Sequence, residues 1–280
     1  MLIPFEWIGP LAAASIFTVM FALGLILGRE QIAAALQRRV ALAAVIFAVL
    51  VPIPALAVLA VKLFSLKGPI AAGIVLMAIS PGAPAALRRA LDAGGHREFA
   101  PALHLAIVLL AVVTVPATVL VLDWIFAADF TVTPLHIAKQ VFFAQLLPIT
   151  LGATLRAWRP AFAARIEPGI ARTGNLLLLA VFILALLDLP AIIGATGWAP
   201  PVAGVGMTLC ALLVGQAFAG RDSTVRPAAA LAAAMRNPGL AIVIATVNNT
   251  PPGVTAAIIG YTLGMALVVI AYLQWRKRTE

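Results

Sequence analysis

The chain has 280 residues, 63% of them hydrophobic and only 10% charged, with a mean hydropathy of +1.10. A soluble domain is about 45–50% apolar and about 25% charged, so the composition excludes a soluble globular enzyme and reads as an all-α polytopic membrane protein. The formal charge of +9 does not point to nucleic acid, because the basic residues sit in short connections with no basic stripe or aromatic platform.

Nine apolar segments follow one another, at roughly 8–28, 40–64, 70–90, 99–126, 134–157, 172–194, 198–219, 227–248 and 253–275. Each has about 20 residues or more, enough to cross a hydrocarbon core about 30 Å thick at about 1.5 Å per residue. No lysine or arginine precedes Arg29, and the first apolar run is too long for a secretory signal, so it is read as a span. Cys210 is the one cysteine; it can form no internal disulfide and no cysteine metal cluster.

Charge orients the spans. With the N-terminus outside, fifteen of the nineteen basic residues fall in inner connections, among them Arg38, Arg39, Arg88, Arg89, Arg156 to Arg172, Arg221, Arg226 and the Arg276–Arg278 run. Only Lys62 and Lys67 fall in outer ones. That asymmetry predicts N-out, C-in. Trp7, Trp124, Trp158, Trp198 and Trp275 all lie near span ends, where amphipathic rings prefer to sit. The expected location is a bacterial inner (plasma) membrane.

Two spans carry breakers. Ser80, Pro81 and Gly82 interrupt the third, and Arg236, Asn237, Pro238 and Gly239 interrupt the eighth. Proline removes a backbone donor and glycine tolerates almost any backbone angle, so both helices should break at membrane depth. The third span descends and the eighth ascends, which predicts inverted-topology repeats with two crossed, broken helices. The whole chain, 1–280, is then one transporter unit, with a first repeat of four spans (about 8–126) and a second of five (about 134–275). The first repeat lacks its opening helix.

A helix restarting inside the bilayer presents free N–H groups and a positive dipole end, which favour anions. Such ends are expected near Ala83 and Leu240. Arg236 adds a full charge about 13 Å from the inner surface by the helical rise, and an intramembrane arginine is by default a candidate functional residue. Ser80 and Asn237 precede the two prolines and can hydrogen-bond a ligand. These residues together describe a site for a small organic anion. Two alternatives stand beside it: Arg236, Ser80 and Asn237 only satisfy carbonyls freed by the breaks, or Arg236 pairs with Asp188. His104, Gln145 and Gln216 read first as inter-helix hydrogen-bonding residues, with cavity lining as the alternative. Gly24 with Gly28, and Gly260 with Gly264, allow close helix approach. There is no HExxH, Walker loop or GxSxG elbow, and the three histidines are too dispersed for a metal site, so neither an enzyme nor a bound metal is expected.

The run MFALGLILGREQIAAAL in the first span resembles the MFGMGL signature of the bile acid:sodium symporter family. IAAGIVLMAISPGAPAALRRALDAGGHREFAPAL resembles that family's first crossover helix, CPGG-x-x-SN with a short inner loop, and AAAMRNPGLAIVIA resembles its second, E-x-G-x-QN-x-x-LA. The resemblance covers nearly the whole chain from the family's second helix onward. It implies a panel domain, a core domain with two crossed, unwound helices, and carriage of bile acids or other organic anions, usually with sodium.

The departures fall on the sodium ligands. Ala86 and Leu87 stand at the family's Ser-Asn, Ala232 at its glutamate, Arg236 at a glutamine, Ile107 at a hydroxyl position and Val49 at another glutamine. No cofactor is therefore expected and the sodium site is in doubt. Arg236 would supply permanently the charge that sodium supplies in relatives, giving a sodium-independent anion carrier. A sodium symporter using backbone ligands and a non-transporting receptor or binding module with this fold are the alternatives.

Overall fold

The computed structural model describes residues 8–28, 30, 33, 36–126, 134–187 and 189–279. The described residues are overwhelmingly helical: α1 (Ile8–Ile26), α2 (Arg39–Leu50), α3 (Pro52–Leu63), α4 (Gly68–Ile79), α5 (Pro84–Asp92), α6 (Phe99–Phe126), α7 (Pro134–Val141), a π-helical turn (Phe142–Leu146), α8 (Leu147–Trp158), α9 (Pro160–Leu187), α10 (Leu189–Thr196), α11 (Ala199–Phe218), α12 (Val225–Ala234), α13 (Pro238–Val247) and α14 (Pro252–Thr279). Among these residues eight helical stretches are long and apolar enough to cross a membrane, and a ninth if α4 and α5, bent by 58°, form one span.

Prolines set most of the punctuation. Ring geometry pre-sets the first turn of a helix, where the missing N–H is no loss, and α3, α5, α7, α9, α13 and α14 all begin on proline. The expected span 40–64 is divided at Val51, immediately before Pro52. Another expectation is corrected: residues 159–172 do not form a connection. Only Arg159 is outside a helix there, and α9 starts at Pro160 and carries Arg165 and Arg172 within it. Alanine, arginine and glutamate are good helix formers, and they outweigh the charge pattern that marked the stretch as a loop.

The chain divides into two compact units. The first comprises Met1–Gly28, Val108–Ala191 and Gly239–Thr250. Its centre is α1 against α8 and α9, where small residues let backbones meet. A Cβ added to Gly24 would overlap the Ile149 carbonyl oxygen, and one added to Gly152 would overlap that of Phe21. Ser15 Oγ donates to the Gly174 carbonyl at 2.9 Å, and Gln140 and Asn248 exchange amide hydrogen bonds of 3.2 and 3.1 Å.

The second unit comprises Arg29–Ile107, Ile192–Pro238 and Pro251–Glu280. Here α11 lies against α12 and α14. Gly204 sits against the Tyr261 carbonyl, Gly264 against that of Pro201, and Gly215 against that of Ala229, each with no room for a Cβ. In this unit residues 227–234 of α12 and residues 235–237 beyond it are all buried, which is the protein surrounding that interrupted backbone requires at membrane depth.

Overpacking a close helix contact costs about 1–3 kcal/mol. Gly24→Val is expected to lower the thermal unfolding midpoint in detergent by that order. Gly169→Ala, where nothing lies within 4 Å of an added Cβ, should raise it slightly, because alanine is preferred over glycine in a helix by about 0.5–1 kcal/mol.

Candidate functional site

Two helix interruptions in the second unit build the site. The first runs from Ser80 to Ala83, between α4 and α5. Proline disfavours helical geometry in the residue before it; accordingly Ser80, before Pro81, has φ −99° and ψ 83°, and Ala83, before Pro84, has φ −61° and ψ 124°. Between them Gly82 has φ 76°, a left-handed angle that suits glycine. The second interruption is Met235–Asn237. The expected restart near Leu240 is corrected: α13 begins at Pro238, so Pro238 and Gly239 form its first turn rather than the break. The physical reason is the same proline rule, which unwinds the residues ahead of Pro238 and not those after it.

The two interruptions are stitched together. Asn237 N–H donates to the Ser80 carbonyl at 2.8 Å, and Asn237 Nδ2 donates to the Gly82 carbonyl at 3.3 Å. Arg236 is 1% exposed and, among the described residues, is the largest fully buried side chain. Its guanidinium donates from Nε to the Met77 carbonyl (3.4 Å), from Nη1 to the Val49 carbonyl (3.3 Å) and from Nη2 to the Ala78 carbonyl. Its backbone N–H meets Met265 Sδ at 3.3 Å.

These acceptors have a local cause. In an unbroken helix the Met77 carbonyl would accept from residue 81, but Pro81 has no N–H; it receives only a tight-turn bond from Ser80 N–H at 3.1 Å. The Ala78 carbonyl would accept from residue 82, beyond the end of the helix. Arg236 thus caps the C-terminal end of α4 from another segment of the chain, and a positive charge is favourable at that negative dipole end. Among the described residues the salt bridges are Arg38–Asp222 and Arg89–Asp92, so no carboxylate neutralises Arg236 there. Three of its five N–H donors are committed to carbonyls; the charge and two donors remain.

Ser80 is fully buried and its Oγ has no hydrogen-bond partner. The structure therefore brings Ser80, Pro81, Gly82, Arg236, Asn237 and Pro238 together, with Gly239 following in the chain. The other candidates are placed elsewhere. His104, in the second unit on α6, is 3% exposed with Nε2 unpartnered. Gln216, on α11, donates to Tyr272 Oη at 3.5 Å, an inter-helix contact. Gln145 lies in the π-helical turn of the first unit, fully buried with both amide atoms unpartnered. Asp188 lies outside the described residues. Among those described, no group of three or more His, Cys, Asp and Glu residues could hold a metal.

Sequence reading missed the acceptors, the carbonyls of Val49, Met77 and Ala78. A signal for one existed: a proline four residues after Met77 strips that carbonyl of its donor. Replacing Arg236 by Met would leave these buried carbonyls short of donors, at about 1–3 kcal/mol per orphaned group. Arg236→Met should therefore lower the unfolding midpoint sharply and Arg236→Lys should recover it only in part, since an ammonium lacks the planar fork. An unchanged midpoint in Arg236→Met would show that the cap contributes nothing.

Comparison with known proteins adds one positive finding. No curated protein matches the chain. The model of the family described as Sodium Bile acid symporter family matches residues 13–194, more than half of the sequence. That match contains the first interruption and stops before the second. With its apolar helices it points to a membrane transporter: the chain belongs to the Sodium Bile acid symporter family.

Proposed function

We propose that the chain is a secondary carrier for a small organic anion, working by alternating access and without sodium coupling. The observation that carries the reading is the guanidinium of Arg236 on the carbonyls of Val49, Met77 and Ala78. In secondary transporters, carbonyls at the C-terminal ends of broken half-helices are the groups that coordinate a coupling cation. Here a fixed cation holds two such carbonyls already, and a sodium ion beside it would meet like-charge repulsion. Positions that supply sodium ligands in the resembled family carry Ala86, Leu87 and Ala232, with no side-chain oxygen.

The anion would be held by what the cap leaves over. Arg236 keeps its charge and two N–H donors, the starts of α5 and α13 have positive dipole ends, and Ser80 Oγ lacks a partner. Ser80 and Asn237 would orient the ligand, while Pro81, Gly82, Pro238 and Gly239 shape the backbone around it. The reading retains nine spans in two inverted-topology repeats, the two interrupted spans crossed, with the N-terminus outside and the C-terminus inside a bacterial inner membrane. The partners are a small organic anion and the bilayer.

Uptake into proteoliposomes across a panel of small mono- and dicarboxylates, with and without an inward sodium gradient, tests it. Saturable uptake of at least one anion at the same rate in both conditions is expected. Strong stimulation by sodium would establish coupling through backbone ligands, and binding without flux would make the chain a receptor; either result overturns the proposal.

A further inference from the structure

Away from the interruptions, the second unit carries a group of polar side chains that the carrier reading does not use. Arg38 precedes α2, His96 lies in the connection 93–98 between α5 and α6, and Asp222 and Thr224 lie in the connection 219–224 before α12. Arg38 Nη1 is 2.6 Å from His96 Nε2, and Arg38 Nε is 3.5 Å from Asp222 Oδ2. Asp222 Oδ1 accepts from Thr224 N–H at 2.9 Å and from Thr224 Oγ1 at 2.7 Å. His96 N–H donates to the Thr224 carbonyl at 3.0 Å. The four residues close a ring around two connections, one following α5 and the other leading into α12.

We propose that Arg38, His96, Asp222 and Thr224 form a proton-sensitive clasp, which holds the connections 93–98 and 219–224 together while His96 is neutral and releases them when its ring takes up a proton.

The argument is one of donors. A guanidinium can only donate, so His96 Nε2 must present a lone pair to Arg38. On the other side of the ring, Nδ1 faces the N–H groups of Glu98 and Phe99, both at 3.3 Å. Every neighbour of the two ring nitrogens is therefore a donor. A neutral imidazole has one lone pair, which can serve Arg38 at Nε2 or the two N–H groups at Nδ1 but not both; the shorter contact, 2.6 Å against 3.3 Å, assigns it to Nε2. An imidazolium has none; it offers N–H at both nitrogens and puts a second positive charge against the guanidinium. The contact cannot survive that change.

The other charges nearby are otherwise engaged or stay fixed. On α5, Asp92 pairs with Arg89 at 3.5 Å; on α14, Arg276 Nη2 donates to the Ala93 carbonyl at 3.1 Å; on α12, Arg226 Nε donates to the Gly220 carbonyl at 3.0 Å. Arg97 and Glu98 flank His96 in the chain and are exposed. Hydrogen bonds from the Thr224 hydroxyl, then from the Thr224 N–H, and the charge of Arg38 hold the Asp222 carboxyl below its ordinary range. A depressed carboxylate contributes its stabilisation above that range and loses it only as the pH falls through the depressed value. Asp222 thus stays ionised across the interval of about pH 5–8 in which histidine changes charge, and remains free to retain Arg38 after His96 lets go. The clasp is closed on the alkaline side and open on the acidic side.

Nitroxide labels on Arg97→Cys and Ser223→Cys, in a Cys210→Ala background of the full chain in nanodiscs, report the separation of the two connections by pulsed electron resonance. A narrow, short distance is expected at pH 8 and a longer, broader one at pH 5.5. His96→Gln, whose carboxamide accepts but does not ionise, should stay short at both pH values, and Arg38→Ala should be broad at both. A wild-type distribution that ignores pH, or an equal pH response in His96→Gln, would overturn the clasp. Hydrogen exchange on the unsubstituted chain gives a readout free of variants: after correction for intrinsic chemistry, protection of the His96 amide should fall at pH 5.5, and undiminished protection counts against the proposal.

Discussion

The contact on which the second unit depends is the guanidinium of Arg236 against the carbonyls of Met77, Ala78 and Val49. Burying an unpaired ion costs several kcal/mol even after relaxation, and here no carboxylate pairs with it among the described residues. The compensation comes from dipoles. Two carbonyls belong to the last turn of α4, whose C-terminal end carries the equivalent of about half a negative charge; that of Met77 otherwise has only the tight-turn bond from Ser80 N–H. Charge and orphaned acceptors are two defects that cancel when placed together. The neighbouring bonds from Asn237 to Ser80 and Gly82 then fix the two interruptions to each other without drawing on the arginine.

The same device recurs at helix ends. Arg156 Nη1 donates to the Leu25 carbonyl at 2.9 Å, at the end of α1 in the first unit, and Arg276 reaches the Ala93 carbonyl just past the end of α5. In each case an arginine from a distant segment supplies a donor to a helix terminus that has lost its own. Charge distribution in the sequence reads these side chains as signals of orientation; in the folded chain they serve as caps.

Much of the architecture could be read directly. Apolar runs of about twenty residues announce helices long enough to span, the pair Pro81-Gly82 lies within an interruption, and Arg236, a charge inside an apolar run, is buried. Trp158, at the end of α8, and Trp198, just before α11, are exposed. What escaped depends on partners distant in sequence or on competition between local rules. The carbonyls that receive Arg236 lie about 160 to 190 residues away, and no periodicity reveals such a meeting. Arg165 and Arg172 read as loop residues by charge alone, yet helix propensity places them in α9. α13 starts two residues before Leu240 because proline opens a helix as readily as it ends one. The π-helical turn at Phe142–Leu146 followed no expectation; Pro148 just beyond it deprives the preceding turn of an N–H, which is a local invitation to widen. The family match, too, ends at residue 194, so Arg236 and Asn237 are understood from their geometry and not from that likeness.

Pro81 has a consequence that reaches across the molecule. By lacking an amide hydrogen it creates the vacancy that a guanidinium from α12's far end fills. Any other residue at that position would offer an amide to Met77 and compete with the arginine for the same oxygen. Conversely, losing the arginine while keeping the proline leaves the oxygen short of a donor. The two sites are therefore energetically interlocked, so that substitutions at 81 and 236 should be strongly non-additive. In evolutionary terms they form one inherited character, and lineages should exchange both or neither.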